Sequence, residues 1–393
     1  MTPDGSPDGR DPLALPDLAS RALRGSVVAA SDEFFAEKEN LILPAAPAFT
    51  PRTFGHKGQV YDGWETRRRR GPGPGARPDA DAHDWAIVRL GAAGVVRAVM
   101  VDTAHFTGNY PQSCSVEGTL AGGYADVADV SDWVPLVARS PLTGDARHVF
   151  GVGAQRRCTH VRLRIYPDGG VARLRVHGDV VPSPALLEGL TADLAALENG
   201  GDVVACSDEF YSSPRNVLLP GLSRVMGEGW ETRRRREAGN EWLVVRLAGA
   251  SVVSLAEIDT SGYIGNSPGS ASLAGLDATA SPLSDPDAWF PLLPRTALLP
   301  DTPHRFRLPG SAPVTHVRLD VFPDGGVARL RLHGSLTAAG LAGVRQRWSE
   351  TAGSLSGTYR GDSASGRPRA RFLLARFLLL SDNPRPGRHG PHG

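Results

Sequence analysis

Apolar and polar residues alternate with a period of two through most of the chain. Between Thr159 and Gly178, Val161, Leu163 and Ile165 are interleaved with Arg162 and Arg164, and Leu174 and Val176 with Arg173 and Arg175. Successive side chains of a strand point to opposite faces, so this is the pattern of strands with one buried side. Pro167-Asp168-Gly169-Gly170 lies between the two runs with strong turn chemistry, and the pair reads as a hairpin. Helical periodicity is nearly absent. Short strands separated by turn signals predict an all-β chain built as antiparallel sandwiches of jelly-roll type.

The pattern occurs twice. Gly63-Trp64-Glu65-Thr66-Arg67-Arg68-Arg69-Arg70 is repeated without change at Gly229 to Arg236. Around it Ser31-Asp32-Glu33-Phe34-Phe35 returns as Ser207-Asp208-Glu209-Phe210-Tyr211, and His83-Asp84-Trp85 as Asn240-Glu241-Trp242. Val101-Asp102-Thr103 returns as Ile258-Asp259-Thr260, Gly108-Asn109 as Gly265-Asn266, and Thr159 to Gly178 as Thr315 to Gly334. The order is kept throughout, which predicts two homologous sandwiches at residues 25–181 and 202–336. The expected remainder is a flexible leader (1–24), a linker helix within 182–201 and a largely flexible extension (337–393), with a short helix or docking segment at Phe372 to Leu380 and a disordered end after Ser381.

Composition narrows the function classes. The chain of 393 residues has 43 Lys plus Arg against 42 Asp plus Glu, a net charge of +1, so no global field attracts a polyanion. The arginine runs lack an aromatic stacking platform, which argues against nucleic-acid binding. Gly (46) and Pro (32) make about a fifth of the chain, below the level that suggests disorder. Three cysteines without CxxC spacing fit a reduced, cytoplasmic compartment. The first sixteen residues do not read as a secretory signal, and no apolar run approaches the roughly 20 residues of a membrane helix.

Asp62-Gly63-Trp64-Glu65-Thr66-Arg67-Arg68-Arg69-Arg70, then His83-Asp84-Trp85, then Val101 to Pro111 (Val-Asp-Thr-Ala-His-Phe-Thr-Gly-Asn-Tyr-Pro) together resemble the allantoicase family, and the match covers about residues 25 to 335. Trp85 followed by Ile87, Val88 and Leu90-Gly91 is similar to galactose-binding, discoidin-like sandwiches, which agrees in fold. The first resemblance implies a hydrolase of carbon–nitrogen bonds that converts allantoate to ureidoglycolate and urea in purine breakdown. A non-catalytic ligand-binding module of the same fold, or a hydrolase of a related ureide, is the alternative.

Allantoate carries one carboxylate and two ureido groups on a single carbon. Its site therefore needs an anion clamp, amide recognition and two proton carriers. Arg67, Arg68, Arg233 and Arg234 suit the clamp, because guanidinium binds carboxylate through two parallel charge-assisted bonds. On a strand, Glu65, Arg67 and Arg69 would share one face and Trp64, Thr66 and Arg68 the other, so one strand cannot aim all of them at one ligand. Asn109 and Asn266 suit the ureido groups, with Tyr110, Glu231 and Asp259 as further binding candidates. His105, Asp102 and Glu65 are the candidates for proton transfer. Arginine neighbours should lower the pKa of Glu65, which favours an orienting role for it. His105 corresponds to Gly262, Tyr110 to Ser267 and His83 to Asn240, so the repeats are not chemically equivalent. A divalent ion such as manganese could serve if His83, Asp84, Asp102 and His105 converged, but no HxH, HExxH or CxxC spacing marks a metal site. A homo-oligomer is compatible with the sequence, and the cleft between the sandwiches is a natural place for a small ligand.

Overall fold

A computed structural model describes residues 11–353 apart from 123 and 311. Phe372 to Leu380 and the segment after Ser381 lie outside the described residues. Each repeat is an antiparallel two-layer sandwich organised by one long strand. In the first repeat this strand, Asp84–Asp102, pairs through its N-terminal half with Ser26–Ala30 and Arg157–Tyr166. After a shift between Arg89 and Gly94, its C-terminal half pairs with Arg173–Val180 and Arg147–Gly151. Ser113–Thr119 and Val134–Pro141 extend the first layer beyond Arg157–Tyr166. The bend is tight: a side chain on Gly91 would meet the Leu23 carbonyl oxygen at 1.9 Å.

The second repeat copies this plan around Glu241–Asp259. Its partners are Asp202–Cys206 and Val314–Phe322 on one side of the shift, and Arg329–Leu336 and Pro303–Arg307 on the other. The alternation read from sequence is the burial pattern. Val161, Leu163, Ile165, Leu174 and Val176 are all fully buried.

The two runs flanking Pro167-Asp168-Gly169-Gly170 do not form a hairpin. Arg157–Tyr166 pairs with the N-terminal half of the long strand and Arg173–Val180 with the C-terminal half, so the turn carries the chain from one layer to the other. Within that turn Gly170 and Val171 form a two-residue ladder with Glu65 and Trp64. This short ladder seats the octapeptide against the turn.

Three expectations about segments outside the strands differ from what is observed. Residues 11–24 are packed, with Leu18, Ala19 and Leu23 buried; Asp17 Oδ1 accepts the N–H groups of Ala19 (3.1 Å) and Val176 (2.9 Å). Residues 185–198 hold two 3-10 turns and a two-residue strand, not a helix. Here Asp193 Oδ1 accepts Ala195 N–H (3.2 Å) and Leu332 N–H (2.9 Å), as Asp17 does in the first repeat. Both segments are therefore the same entry into a sandwich, held by an aspartate that a helical reading of the apolar spacing does not register. Thirdly, Ala338–Glu350 is an α-helix capped by Thr337. It joins the repeats: Arg157 of the first repeat donates to Trp348 O (2.6 Å) and Thr351 Oγ1 (2.8 Å), and Arg347 donates to Val180 O (3.0 Å).

Candidate functional site

Trp64 and Trp230 are fully buried, and each indole N–H donates to a backbone carbonyl, Asp32 O at 2.7 Å and Asp208 O at 2.8 Å. These anchors fix where the arginine runs emerge. The strand ends at Glu65 and at Glu231, so the simple two-face alternation does not continue through the arginines. Their roles are set by individual partners.

Arg67 is held by Asp32, which accepts its backbone N–H (3.2 Å) and its Nε (2.5 Å). Arg233 is held likewise by Asp208, at 2.9 and 2.8 Å. Burial opposes ionisation of both aspartates, but hydrogen bonds from backbone N–H groups and the arginine outweigh it and lower both pKa values. Arg69 donates its backbone N–H to Asp168 (2.8 Å) and Nη2 to Asp84 (2.7 Å). Arg235 repeats this with Asp324 (2.8 Å) and Glu241 (2.7 Å). Arg68 and Arg234 are exposed, and neither makes a hydrogen bond or ion pair among the described residues. The first and third arginines of each run are thus structural, while the second and fourth (Arg68 and Arg70, Arg234 and Arg236) are exposed and uncommitted among the described residues. Of these, Arg68 is the one whose charge acts on Glu65.

Each repeat also holds a polar pair, and in the first the charge of Arg68 acts on its glutamate. Asn109 Nδ2 donates to Glu65 Oε1 at 2.8 Å, and Asn266 Nδ2 donates to Glu231 Oε1 at 2.7 Å. Glu65 is half-buried, and desolvation raises its pKa even though the Asn109 bond and the Arg68 charge pull it down. The net lowering expected from neighbouring arginines is outweighed by burial, because Arg67 and Arg69 are turned to other acids and only the exposed Arg68 acts on Glu65. Asp168 is raised as well, chiefly by burial with a contribution from Asp84, against the Arg69 N–H bond and the charges of Arg68 and Arg69. In the sequence Asp168 reads only as a turn residue. Its signal was the identical Pro-Asp-Gly-Gly in both repeats, next to the octapeptide in the fold.

The other candidates are placed differently. Asp102 is buried, with Oδ1 capping Ala104 N–H (2.8 Å) and Oδ2 near Arg147 Nε (3.3 Å); Asp259 caps Ser261 in the same way (2.8 Å). His105 is not bonded to Asp102 or Glu65. Its backbone N–H donates to Asp145 (2.8 Å), its ring Nε2 lies 3.3 Å from Pro47 O, and the ring stacks on Phe49. Its φ is +69°, where the counterpart is Gly262 at +85°. Tyr110 packs over Gly144. His83 sits by Asp81 O and the Tyr166 ring. The four residues considered for a metal are therefore engaged separately, and no group of three or more His, Cys, Asp or Glu side chains converges among the described residues.

A cleft of about 1030 Å³ does run between the repeats, lined in part by Asp17, Arg175, His177, Arg215 and Glu228. None of the octapeptide residues lines it, nor do Asn109 or Asn266. The Glu–Asn–Arg groups lie outside that cleft, one in each repeat.

A family model described as the allantoicase repeat matches residues 16–181 and 192–337. The chain belongs to the allantoicase family. A probable allantoicase of Nocardia farcinica is 55% identical over 327 residues, 82% of this chain and 94% of the relative. One of Streptomyces coelicolor is 52% identical over 343 residues, 86% of this chain and 90% of the relative. The crystal structure of allantoicase from Saccharomyces cerevisiae is 34% identical, with a TM-score of 0.68, and covers 81% of this chain and 92% of its own. The allantoicase repeats begin earlier than the alternation alone suggested, at Pro16 and Ala192, which are the packed entry segments described above.

In the first repeat an insertion stands next to the site. Eighteen residues (45–62) separate Pro44 from Gly63, where eight (221–228) separate Pro220 from Gly229. The insertion carries the hairpin Phe54–Gly55 with Gly58–Gln59 and the rings Phe49 and Tyr61. Phe49 stacks on His105 at 5.5 Å and on Tyr61 at 5.3 Å, and Tyr61 stacks on Phe106 at 4.8 Å. Arg173, 1% exposed, ties the insertion down by donating to Ala45 O (3.0 Å), Asp62 O (3.1 Å) and Asp62 Oδ2 (2.8 Å).

Proposed function

We propose that this member of the allantoicase family hydrolyses allantoate at the Glu65–Asn109–Arg68 group of the first repeat, in the cytoplasm. The hydrolysis gives ureidoglycolate and urea: the bond from the central carbon to one ureido nitrogen breaks, water supplies the new oxygen, and the departing nitrogen takes a proton. Arg68, with its guanidinium uncommitted, binds the substrate carboxylate bidentately. Asn109 donates to Glu65, which leaves its own carbonyl free to accept a ureido N–H. Glu65 carries the proton. Its raised pKa keeps it protonated closer to neutrality than an ordinary carboxyl, as an acid for a leaving nitrogen requires.

Asp168 acts through Arg69, whose backbone it holds, and so positions the run that presents Arg68. His105 positions the insertion 45–62 by its stack with Phe49. Asp102 shapes the loop that carries Asn109. The cytoplasmic placement is supported by Cys114, Cys158 and Cys206, which are all free.

The observation that carries the reading is the free Arg68 beside a half-buried glutamate bonded to an asparagine. It is tested by incubating the purified chain with allantoate and measuring urea and ureidoglycolate. Release of both is expected. No product, with or without added manganese, overturns the substrate assignment; product formed at the full rate by Glu65→Gln overturns the site.

A further inference from the structure

The second repeat has diverged from the first wherever the first has built its surroundings. It lacks ten residues of the insertion, and Gly262 and Ser267 stand where His105 and Tyr110 stand. Tyr263, the counterpart of Phe106, donates its hydroxyl to Met226 O (2.6 Å) within the shorter connection. Against this drift, the glutamate–asparagine hydrogen bond and the anchors of the first and third arginines are all reproduced. Glu231 accepts from Asn266 at 2.7 Å where Glu65 accepts from Asn109 at 2.8 Å. Asp208 holds Arg233 through backbone N–H and Nε, and Asp324 with Glu241 holds Arg235, so Arg234 is left uncommitted as Arg68 is.

Folding gives no reason for this. An exposed guanidinium without a partner adds nothing measurable to stability. A glutamate turned toward an asparagine in a half-exposed setting adds no more than one ordinary hydrogen bond. The surroundings also offer a face for a flat polar ligand. Phe210 and Tyr211 are exposed (63% and 62%), meet edge to face at 4.9 Å, and Arg233 lies over Phe210 at 5.2 Å.

We infer that the second repeat holds a separate and complete binding site for a small carboxylate bearing a ureido group, which it binds without hydrolysing. Arg234 takes the carboxylate, and Asn266, fixed by Glu231, takes the ureido group. The missing insertion leaves the site open to water and to exchange. Each chain thus binds two such ligands, one in each repeat. The ligand class rests on the reading of the first repeat; the existence of the second site rests on its own geometry.

The test is ligand stoichiometry by equilibrium dialysis. The probe is hydantoate, which has one carboxylate and one ureido group and cannot undergo the same loss of urea from a two-ureido carbon. Two hydantoate molecules per wild-type chain are expected. The pair Arg234→Ala with Asn266→Ala should leave one, and the pair Arg68→Ala with Asn109→Ala should also leave one. One molecule per wild-type chain, still bound by the Arg234→Ala and Asn266→Ala protein, overturns the inference and leaves the first-repeat reading intact. Two molecules per chain combined with undiminished urea release by Glu65→Gln overturns the first-repeat reading and leaves the second site standing. No binding by the wild type overturns both. Each variant pair replaces exposed or half-exposed residues, and an unchanged thermal midpoint checks that it folds.

Discussion

The two repeats share a frame and differ in what is laid over it. In both, a buried tryptophan, an aspartate on the first arginine and an acid on the third fix the octapeptide, and Arg173 or Arg329 sits buried beneath the connection that precedes it. Among the described residues, of these two arginines Arg173 alone forms an ion pair with a carboxylate. Arg173 pairs with Asp62, whereas Arg329 donates to the carbonyls of Gly221 (2.9 Å) and Glu228 (2.7 Å). Duplication kept the glutamate–asparagine pair and the anchored arginines and let the cover change. A difference in chemistry between the repeats should therefore follow the cover, not the arginines.

The sharpest way to break this contrast is to neutralise each glutamate. Glu65→Gln keeps an acceptor for Asn109 but carries no proton for the leaving nitrogen, so turnover should fall by about 10² to 10⁴. Glu231→Gln should cost less than tenfold. Steady-state urea release measures both, and comparable losses in the two variants would show that the repeats divide the chemistry.

The second contrast concerns stability. Asp62→Ala leaves Arg173 buried without its counter-charge, and breaking such a pair costs about 3–5 kcal/mol. In the second repeat the Glu228 side chain forms its ion pair, among the described residues, with Arg224, which is 80% exposed, and Glu228→Ala should cost below about 1 kcal/mol. Guanidinium denaturation reads both. A small effect at Asp62 would mean that the insertion is not locked to the sandwich through Arg173.

Much of this was legible in the chain. Alternation located the strands, and the repeated octapeptide located the candidate site. What alternation could not reveal is pairing: Val161 and Leu174 carry the same signal whether their strands are neighbours or belong to opposite layers. The Pro-Asp-Gly-Gly turn reads as a hairpin until the two-residue ladder to Trp64–Glu65 is seen. The entry segments were hidden for a related reason, since Asp17 and Asp193 hold them by contacts to strands more than a hundred residues away. At the candidate site, Glu65, Asn109 and Arg68 were legible in the sequence but not which arginines are committed, because that depends on Asp32, Asp84 and Asp168 arriving from three other segments. Nor could it give the burial that reverses the expected pKa shift of Glu65.

Arg68→Lys should raise the Michaelis constant roughly ten- to a hundredfold with little change in turnover, since it removes a bidentate charge-assisted contact worth about 1.5–3 kcal/mol. Arg234→Lys should shift the same constant by less than threefold. Equal shifts would place the hydrolysed substrate across both repeats.

His105→Gly tests the cover. An L-residue in the left-handed region costs about 1–2 kcal/mol, while the Phe49 stack returns about 0.5–1.5 kcal/mol and glycine adds backbone entropy to the unfolded chain. These oppose one another, so stability should change by less than about 1 kcal/mol. Activity should fall less than tenfold as the insertion loosens. A loss of 10² or more with an unchanged melting midpoint would make the imidazole a proton carrier rather than a support for the insertion.

The smallest expected effect is the pH dependence of stability contributed by Glu65. Its folded-state pKa is raised, mainly by burial, so the folded protein binds this proton more tightly than the unfolded chain does. Stability from this group is then fully present below the ordinary glutamate range and is lost as pH rises through the folded value. Glu65→Gln removes the titration. Its melting midpoint should match wild type in acid, once both states are protonated, and rise above wild type as pH climbs past the ordinary glutamate range toward neutrality. Melting curves of the two proteins across that window decide it. A midpoint for Glu65→Gln that falls below wild type at neutral pH would mean that the ionised carboxylate is held by Asn109 and Arg68 more strongly than burial opposes it, and the proton would have to be carried by another group.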